Sequence, residues 1–268
     1  HEAANHLWEL FHGGWVAPNI FFLGYAGVVT VGGLRIAGLS GIHKDKDYRQ
    51  GHWEHPPYDD GSMRSAYHVR EFDVWRLMQL TGSVDVVLSH DWPQGVHRHG
   101  DEQRLLSRKR FLEREVKTNT LGNPHTPGLM AHLQPSYWFS AHLHTKFAAV
   151  VPHGGPGGRR TRFLSLDKCL PQRDFLQVVS FPDTPHPGSP LTLEYDEEWL
   201  SILRASQPYL SLDRRGPPLP PAASMRAKIE QEREWVKSQS QLDPEWIKVP
   251  KNFEQTLPPH RPGQAVPG

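Results

Sequence analysis

Two apolar runs in this sequence pass straight into histidine-bearing loops. Val84-Asp85-Val86-Val87-Leu88 leads into Ser89-His90-Asp91-Trp92-Pro93, and Tyr137-Trp138-Phe139 leads into Ser140-Ala141-His142-Leu143-His144. Short β-branched or aromatic runs that stop at loop signals read as buried strands, and Pro93 prevents the first from continuing. In α/β sheets, ligands bind beyond the carboxyl ends of the strands. In an extended backbone, side chains two apart project to the same side, which would set His142 beside His144. Neutral imidazole is the commonest protein metal ligand. Three imidazoles at two strand ends therefore suit a hydrolytic metal centre, with one ion or a pair about 3.5–4 Å apart. Alone, His142-Leu143-His144 also reads as a strand end with two solvated histidines; His90, at a second strand end, shifts the balance.

The chain opens His1-Glu2-Ala3-Ala4-Asn5-His6. His1-Glu2 resembles the tail of the Gly-Asn-His-Glu motif of calcineurin-like metallophosphoesterases. Ser89-His90-Asp91 resembles the next motif, and His142-Leu143-His144 the terminal His-x-His. Four flanking stretches narrow the resemblance to the RNA lariat debranching enzymes: Gly-Gly-Trp-Val-Ala-Pro-Asn (13–19), Ser-His-Asp-Trp-Pro (89–93), Tyr-Trp-Phe-Ser-Ala-His-Leu-His (137–144) and Leu-Asp-Lys-Cys-Leu-Pro (166–171). The resemblance implies an α/β fold, a metallophosphoesterase-type two-sheet sandwich flanked by helices, followed by a partly helical, Pro-rich C-terminal region. It implies hydrolysis of the 2′–5′ phosphodiester at the branch point of excised intron lariat RNA. Two divalent ions (Fe2+, Zn2+ or Mn2+) are implied, with His90 and His142 on one and His144 on the other. His1 would sit over the phosphate as proton donor or charge stabiliser, and Glu2 would orient it. Asp91 would orient His90 or its loop, or simply form a turn. A nuclear location follows from the implied substrate.

The family pattern also contains an earlier strand with a Cys- or Asp-x-His pair, a bridging Asp and an Asn before the motif histidine. None is in this sequence. The expectation is a fold whose first strands are missing, and a 268-residue chain nearly inactive as written. Two competing readings are a metallophosphoesterase with another substrate, and a non-catalytic RNA-binding remnant of the fold.

With a net charge of +1 there is no global basic field, so any RNA site must be local. The one cysteine, Cys169, excludes an internal disulfide and fits a reducing compartment; a lone cysteine reads as a packed small hydrophobe. No apolar run is long enough for a membrane span.

Residues 40–70 have no clean period. Aromatics are rare in disordered segments, yet Tyr48, Trp53, Tyr58 and Tyr67 interleave here with cationic side chains. Rings that stack on bases beside cations that meet phosphates are the means of single-strand RNA recognition. Arg49, His52, Trp53, Tyr58, Arg64, Tyr67, His68 and Arg70 are the candidate RNA contacts. The alternative is a surface loop packed on its own domain; the resemblance, which implies a lariat-recognition loop at this place, favours RNA.

Strands are also predicted at 19–24, 28–31, 33–40, 146–151, 163–166 and 175–179, with Gly32-Gly33 as a hairpin turn. The last three strands suit a second sheet. Helices are predicted at 66–80, 101–117, 127–133 and 224–240, the last capped by Ser224. Arg108-Lys109-Arg110 then lies on a solvated helix face. Fifteen of the 25 prolines fall after residue 180, a shift in composition that sets a boundary there; the resemblance implies a metallophosphoesterase domain before it (1–180) and a debranching-enzyme-type C-terminal domain after it (181–268), partly disordered.

Overall fold

The computed structural model describes residues 4–155, 158–181 and 191–254. Its strands are β1 (Gly14–Ala17), β2 (Ile20–Phe22), β3 (Ala26–Val31), β4 (Leu34–Leu39), β5 (Val86–Ser89), β6 (Tyr137–Ser140), β7 (Phe147–Pro152), β8 (Arg160–Ser165) and β9 (Leu193–Tyr195). Seven of them form one mixed sheet in the order β7-β8-β6-β5-β4-β3-β9, and β1 pairs with β2 separately. Strands β4, β5, β6 and β8 run parallel to one another; β3, β7 and β9 are antiparallel to their neighbours. The β3–β4 hairpin turns on Gly32 and Gly33, both at positive φ (55° and 81°), the backbone that a two-residue turn between twisted strands requires.

Helices α1 (Ala4–Leu7), α2 (Asp45–Tyr48), α3 (Asp60–Ser65), α4 (Glu71–Leu77), α5 (Glu102–Arg108), α6 (Glu113–Thr118), α7 (Thr126–Leu133), α8 (Glu197–Ser206) and α9 (Ala222–Leu242) surround the sheet. Alternation along the strands sets the core. Val87, Trp138 and Phe163 are buried with Leu77 of α4 and Leu129 and Leu133 of α7. Trp199 and Ile202 of α8 and Met225 and Ile229 of α9 join the same cluster. Arg35 on β4 ties α8 to the sheet through Asp196 at 2.7 Å and Glu198 at 2.8 Å. On the alternate face Leu88 is exposed, and Phe139 and Leu164 are half-buried.

The α/β class agrees with the sequence reading; several placements differ. β7 and β8 extend the first sheet, because β8 pairs in parallel with β6, whereas a second sheet was expected. Residues 175–179 form no strand. The helix expected over 66–80 is confined to α4, since 67–69 pair instead with Ile42 at the end of β4. The helix expected over 101–117 breaks at Lys109 (φ −132°) into α5 and α6. Ser224 lies inside α9, which begins after Pro221, so it is not the cap. Cys169 is exposed, not packed.

Candidate active site

The parallel strands β8, β6, β5 and β4 end at one edge of the sheet, and their outgoing loops carry the candidate residues. His90 follows β5 directly. Its N–H reaches Leu39 O of β4 (3.4 Å), and its carbonyl accepts from Ala141 N–H beyond β6 (3.1 Å). This cross-stitching brings the His90 and His142 rings to 5.1 Å between centroids. Trp138 Nε1 donates to Ser89 Oγ (2.9 Å), and Trp92 Nε1 to Ala141 O (3.0 Å). Two fully buried indoles thus anchor both histidine loops to the core.

His142 and His144 do not extend β6. They adopt left-handed backbone, with φ of 61° and 48°. Leu143 N–H bonds back to Ala141 O at 2.7 Å, an i to i+2 closure around positive φ that is the rarer, strained γ-turn. Such backbone costs on the order of 1–3 kcal/mol and clusters at functional sites. The strand geometry expected to aim the two side chains is therefore replaced by a turn. His142 turns to His90, while His144 is exposed.

Asp91 holds the loops. Its carboxylate accepts N–H bonds from His43 (3.1 Å) and Trp92 (2.9 Å). Burial pushes its pKa up, against the N–H of His43, the charge of His142 and the N–H of Trp92. That bond places a group the sequence reading missed. His43 follows β4, its ring 5.1 Å from that of His125, and His125 stacks on Tyr48 at 3.7 Å. No local pattern marks either histidine; only the parallel β4–β5 pairing, which puts His43 at the same edge as His90, could have signalled it.

The 40–70 region is ordered by buried ion pairs. Arg70, fully buried, donates to Glu54 (2.5 Å); His68 Nδ1 bonds Asp47 (2.6 Å); His52 Nε2 bonds Asp73 (2.9 Å). Asp73 also accepts from Arg76 at 2.6 Å. Burial alone would raise the Asp73 pKa, but His52 and Arg76 outweigh it and hold it at about 2. His52, His68 and Arg70 are buried and bonded to neighbouring carboxylates, so they stand as internal supports of the region. The Trp53 ring carries the Arg214 guanidinium at 3.9 Å. Arg49 and Arg64 are exposed, and Tyr58 and Tyr67 half-buried. Tyr67 and His90 line one cavity of about 360 Å³, whose walls include Leu23, Leu39 and Leu88. His1 and Glu2 lie outside the described residues.

Comparison with known proteins adds to this geometry. Residues 158–267 match the family model "Lariat debranching enzyme, C-terminal domain", starting ahead of the boundary read at 181 from proline content. The lariat debranching enzyme of Danio rerio is 47% identical over 273 residues, covering 100% of this chain and 48% of that protein. That of Arabidopsis thaliana is 47% identical over 266 residues (99% and 61%), and that of Homo sapiens 47% over 270 residues (98% and 49%). Along its whole length the chain is similar to lariat debranching enzymes. It spans about half the length of most of the curated relatives it matches. Debranching enzymes are hydrolases that depend on metal, and the donor set can be tested against that. His90 and His142 meet as two imidazoles, a chemistry suited to Mn2+, Fe2+ or Zn2+. Among the described residues no three His, Cys, Asp or Glu groups converge on one point. The described residues thus fit as part of a donor set.

Proposed function

We propose that this chain acts in the hydrolysis of the 2′–5′ phosphodiester at the branch point of excised intron lariat RNA, during intron turnover in the nucleus. The observation that carries the reading is the pairing of His90 with His142 at the carboxyl ends of adjacent parallel strands, in a chain that matches lariat debranching enzymes along its whole length.

In this reading His90 and His142 hold one divalent ion and His144 a second, with Fe2+, Zn2+ or Mn2+ as candidates. A divalent ion held by these histidines would supply Lewis-acid chemistry, activating water and offsetting charge on the leaving 2′-oxygen. Asp91, by fixing the His43 and Trp92 backbone, keeps the histidine loops in register. His1, with Glu2, donates the proton or offsets charge at the phosphate. In this reading Tyr67, which lines one cavity with His90, stacks a base next to the branch, while Arg49, Tyr58 and Arg64 take the flanking nucleotides. Residues 1–180 carry the catalytic domain and 181–268 the C-terminal domain.

The test offers the natural protein two RNAs that differ only in one linkage, 2′–5′ or 3′–5′, with Mn2+. Cleavage confined to the 2′–5′ bond and lost in His142→Ala supports the reading. Equal cleavage of both linkages points to another phosphodiesterase. RNA binding indifferent to Mn2+ and to His142→Ala, without cleavage, points to a binding protein.

A further inference from the structure

Beside β6, strand β8 ends at the same edge of the sheet, with Ser165 the register partner of Ser140. The run that follows, Leu166-Asp167-Lys168-Cys169-Leu170-Pro171, has no part in the chemistry above. It is a self-braced loop. The Asp167 carboxylate accepts from Lys168 N–H (2.7 Å) and Arg173 Nη1 (3.3 Å), and Asp167 N–H donates to Asp174 O (3.0 Å). Lys168 is exposed at its tip.

From the opposite side comes the end of α5. The helix breaks at Lys109, so Arg108-Lys109-Arg110 does not form the continuous solvated helix face that its sequence suggests. Arg108 reaches across to Asp174 at 3.5 Å. Between the two lies a cavity of about 440 Å³, lined by Arg108, Lys109, Thr145, Asp167, Arg173 and Asp174. Thr145 is the residue after His144, so the cavity adjoins the histidine turn. Lys109 lines the cavity with the carboxylates of Asp167 and Asp174, and Lys168 is the residue after Asp167. Both arginines are paired to those carboxylates, whereas neither lysine has an ion pair among the described residues.

We propose that this cradle is a phosphate subsite, in which Lys109 and Lys168 hold the backbone of an RNA strand as it passes from the histidine turn toward β8. The paired arginines shape the walls, and the two open lysines supply point charges for non-bridging oxygens. No base edge is read, so the subsite grips any sequence. The proposal rests on a branched RNA being the substrate, and extends that site by at least one nucleotide.

The test compares the natural protein with the double variant Lys109→Gln/Lys168→Gln. Both side chains lie at the surface or half-buried, so the variant keeps its melting temperature. Affinity for a fluorescent branched RNA and for a linear RNA of the same composition is read by anisotropy over a salt series. Single-strand contacts contribute about 0.7 per phosphate to the slope of log K against log salt. The variant should therefore lose about 1.4 of slope and bind both RNAs at least tenfold more weakly at low salt. In branch cleavage KM should rise with kcat unchanged at saturation. Lys117→Gln, on an exposed face and paired with Glu113, should leave the slope intact. An unchanged slope, or a loss confined to kcat, overturns the subsite. The two readings separate cleanly. If the natural protein cleaves branches and the variant keeps its slope, the subsite falls and the debranching reading stands. If RNA affinity is lost in the variant but no branch is ever cleaved, the subsite stands and the debranching reading falls. If the natural protein binds neither RNA, the subsite falls.

Discussion

Asp73→Asn tests whether the region read as a recognition loop is held by its buried ion pairs. Asp73 and Arg76 are each 1% exposed. The carboxylate sits between Arg76 Nη2 at 2.6 Å and His52 Nε2 at 2.9 Å. The substitution keeps shape and one acceptor, but leaves the Arg76 guanidinium buried without its counter-charge. What remains to Arg76 are the faces of Phe72 (4.6 Å), Phe11 (5.2 Å) and Trp199 (5.4 Å). Removing one partner of a buried pair costs about 3–5 kcal/mol. The rings return on the order of 1–2 kcal/mol at a desolvated site, but they hold the cation in the parent as well and so do not reduce the difference. The expected loss is thus about 3 kcal/mol, a large part of the roughly 5–15 kcal/mol that keeps a domain folded. Equilibrium unfolding in urea measures it as a lower midpoint at unchanged slope. Arg76→Leu combined with Asp73→Asn should cost less than the two single changes added, because no unpaired charge is left. A loss below about 1 kcal/mol for Asp73→Asn, or strict additivity, refutes the argument.

Three further outcomes follow from the same coordinates. Because Asp73 titrates at about 2 when folded against 3.8 in a free chain, its pairing contributes full stability above pH 3.8 and loses it as pH falls through 2; acid titration followed by tryptophan fluorescence should show unfolding in that window, and Asp73→Asn should remove this component. Gly41 has φ +98°, and a Cβ there would lie 2.2 Å from Tyr67 O. Gly41→Ala should cost more than about 1 kcal/mol in urea, whereas Gly128→Ala, in α7 with nothing within 4 Å, should add about 0.4–1 kcal/mol. Trp92→Phe removes the N–H that tethers Ala141 O; it should cost about 1–3 kcal/mol in thermal unfolding and speed hydrogen exchange at Leu143.

What the sequence made legible is what local pattern encodes. The runs before His90 and His142 are strands, and they lie side by side with both histidines at the same edge. The Gly32-Gly33 turn follows from two residues that tolerate positive φ. The backbone of His142 and His144 was not legible, because the pattern that predicts a strand does not say where it stops, and β6 stops at Ser140. The burial of His52, His68 and Arg70 was not legible, because a polar side chain in sequence carries no sign of its partner. His52 and His68 each pair with an aspartate 21 positions away, and Arg70 with a glutamate 16 away. The same limit hid His43 and His125, whose rings meet only in the folded chain. Lys109 was hidden by a helix pattern that runs on through the break.

The most direct test of the central claim is a single cleavage assay. The natural protein is incubated with Mn2+ and a branched RNA labelled on the 2′ arm, and the products are resolved on a denaturing gel. The account predicts release of the 2′ arm alone, with both 3′–5′ arms intact, and no release by the His90→Ala or His142→Ala protein. Release that survives loss of His142, or scission of the 3′–5′ bonds at an equal rate, would contradict it.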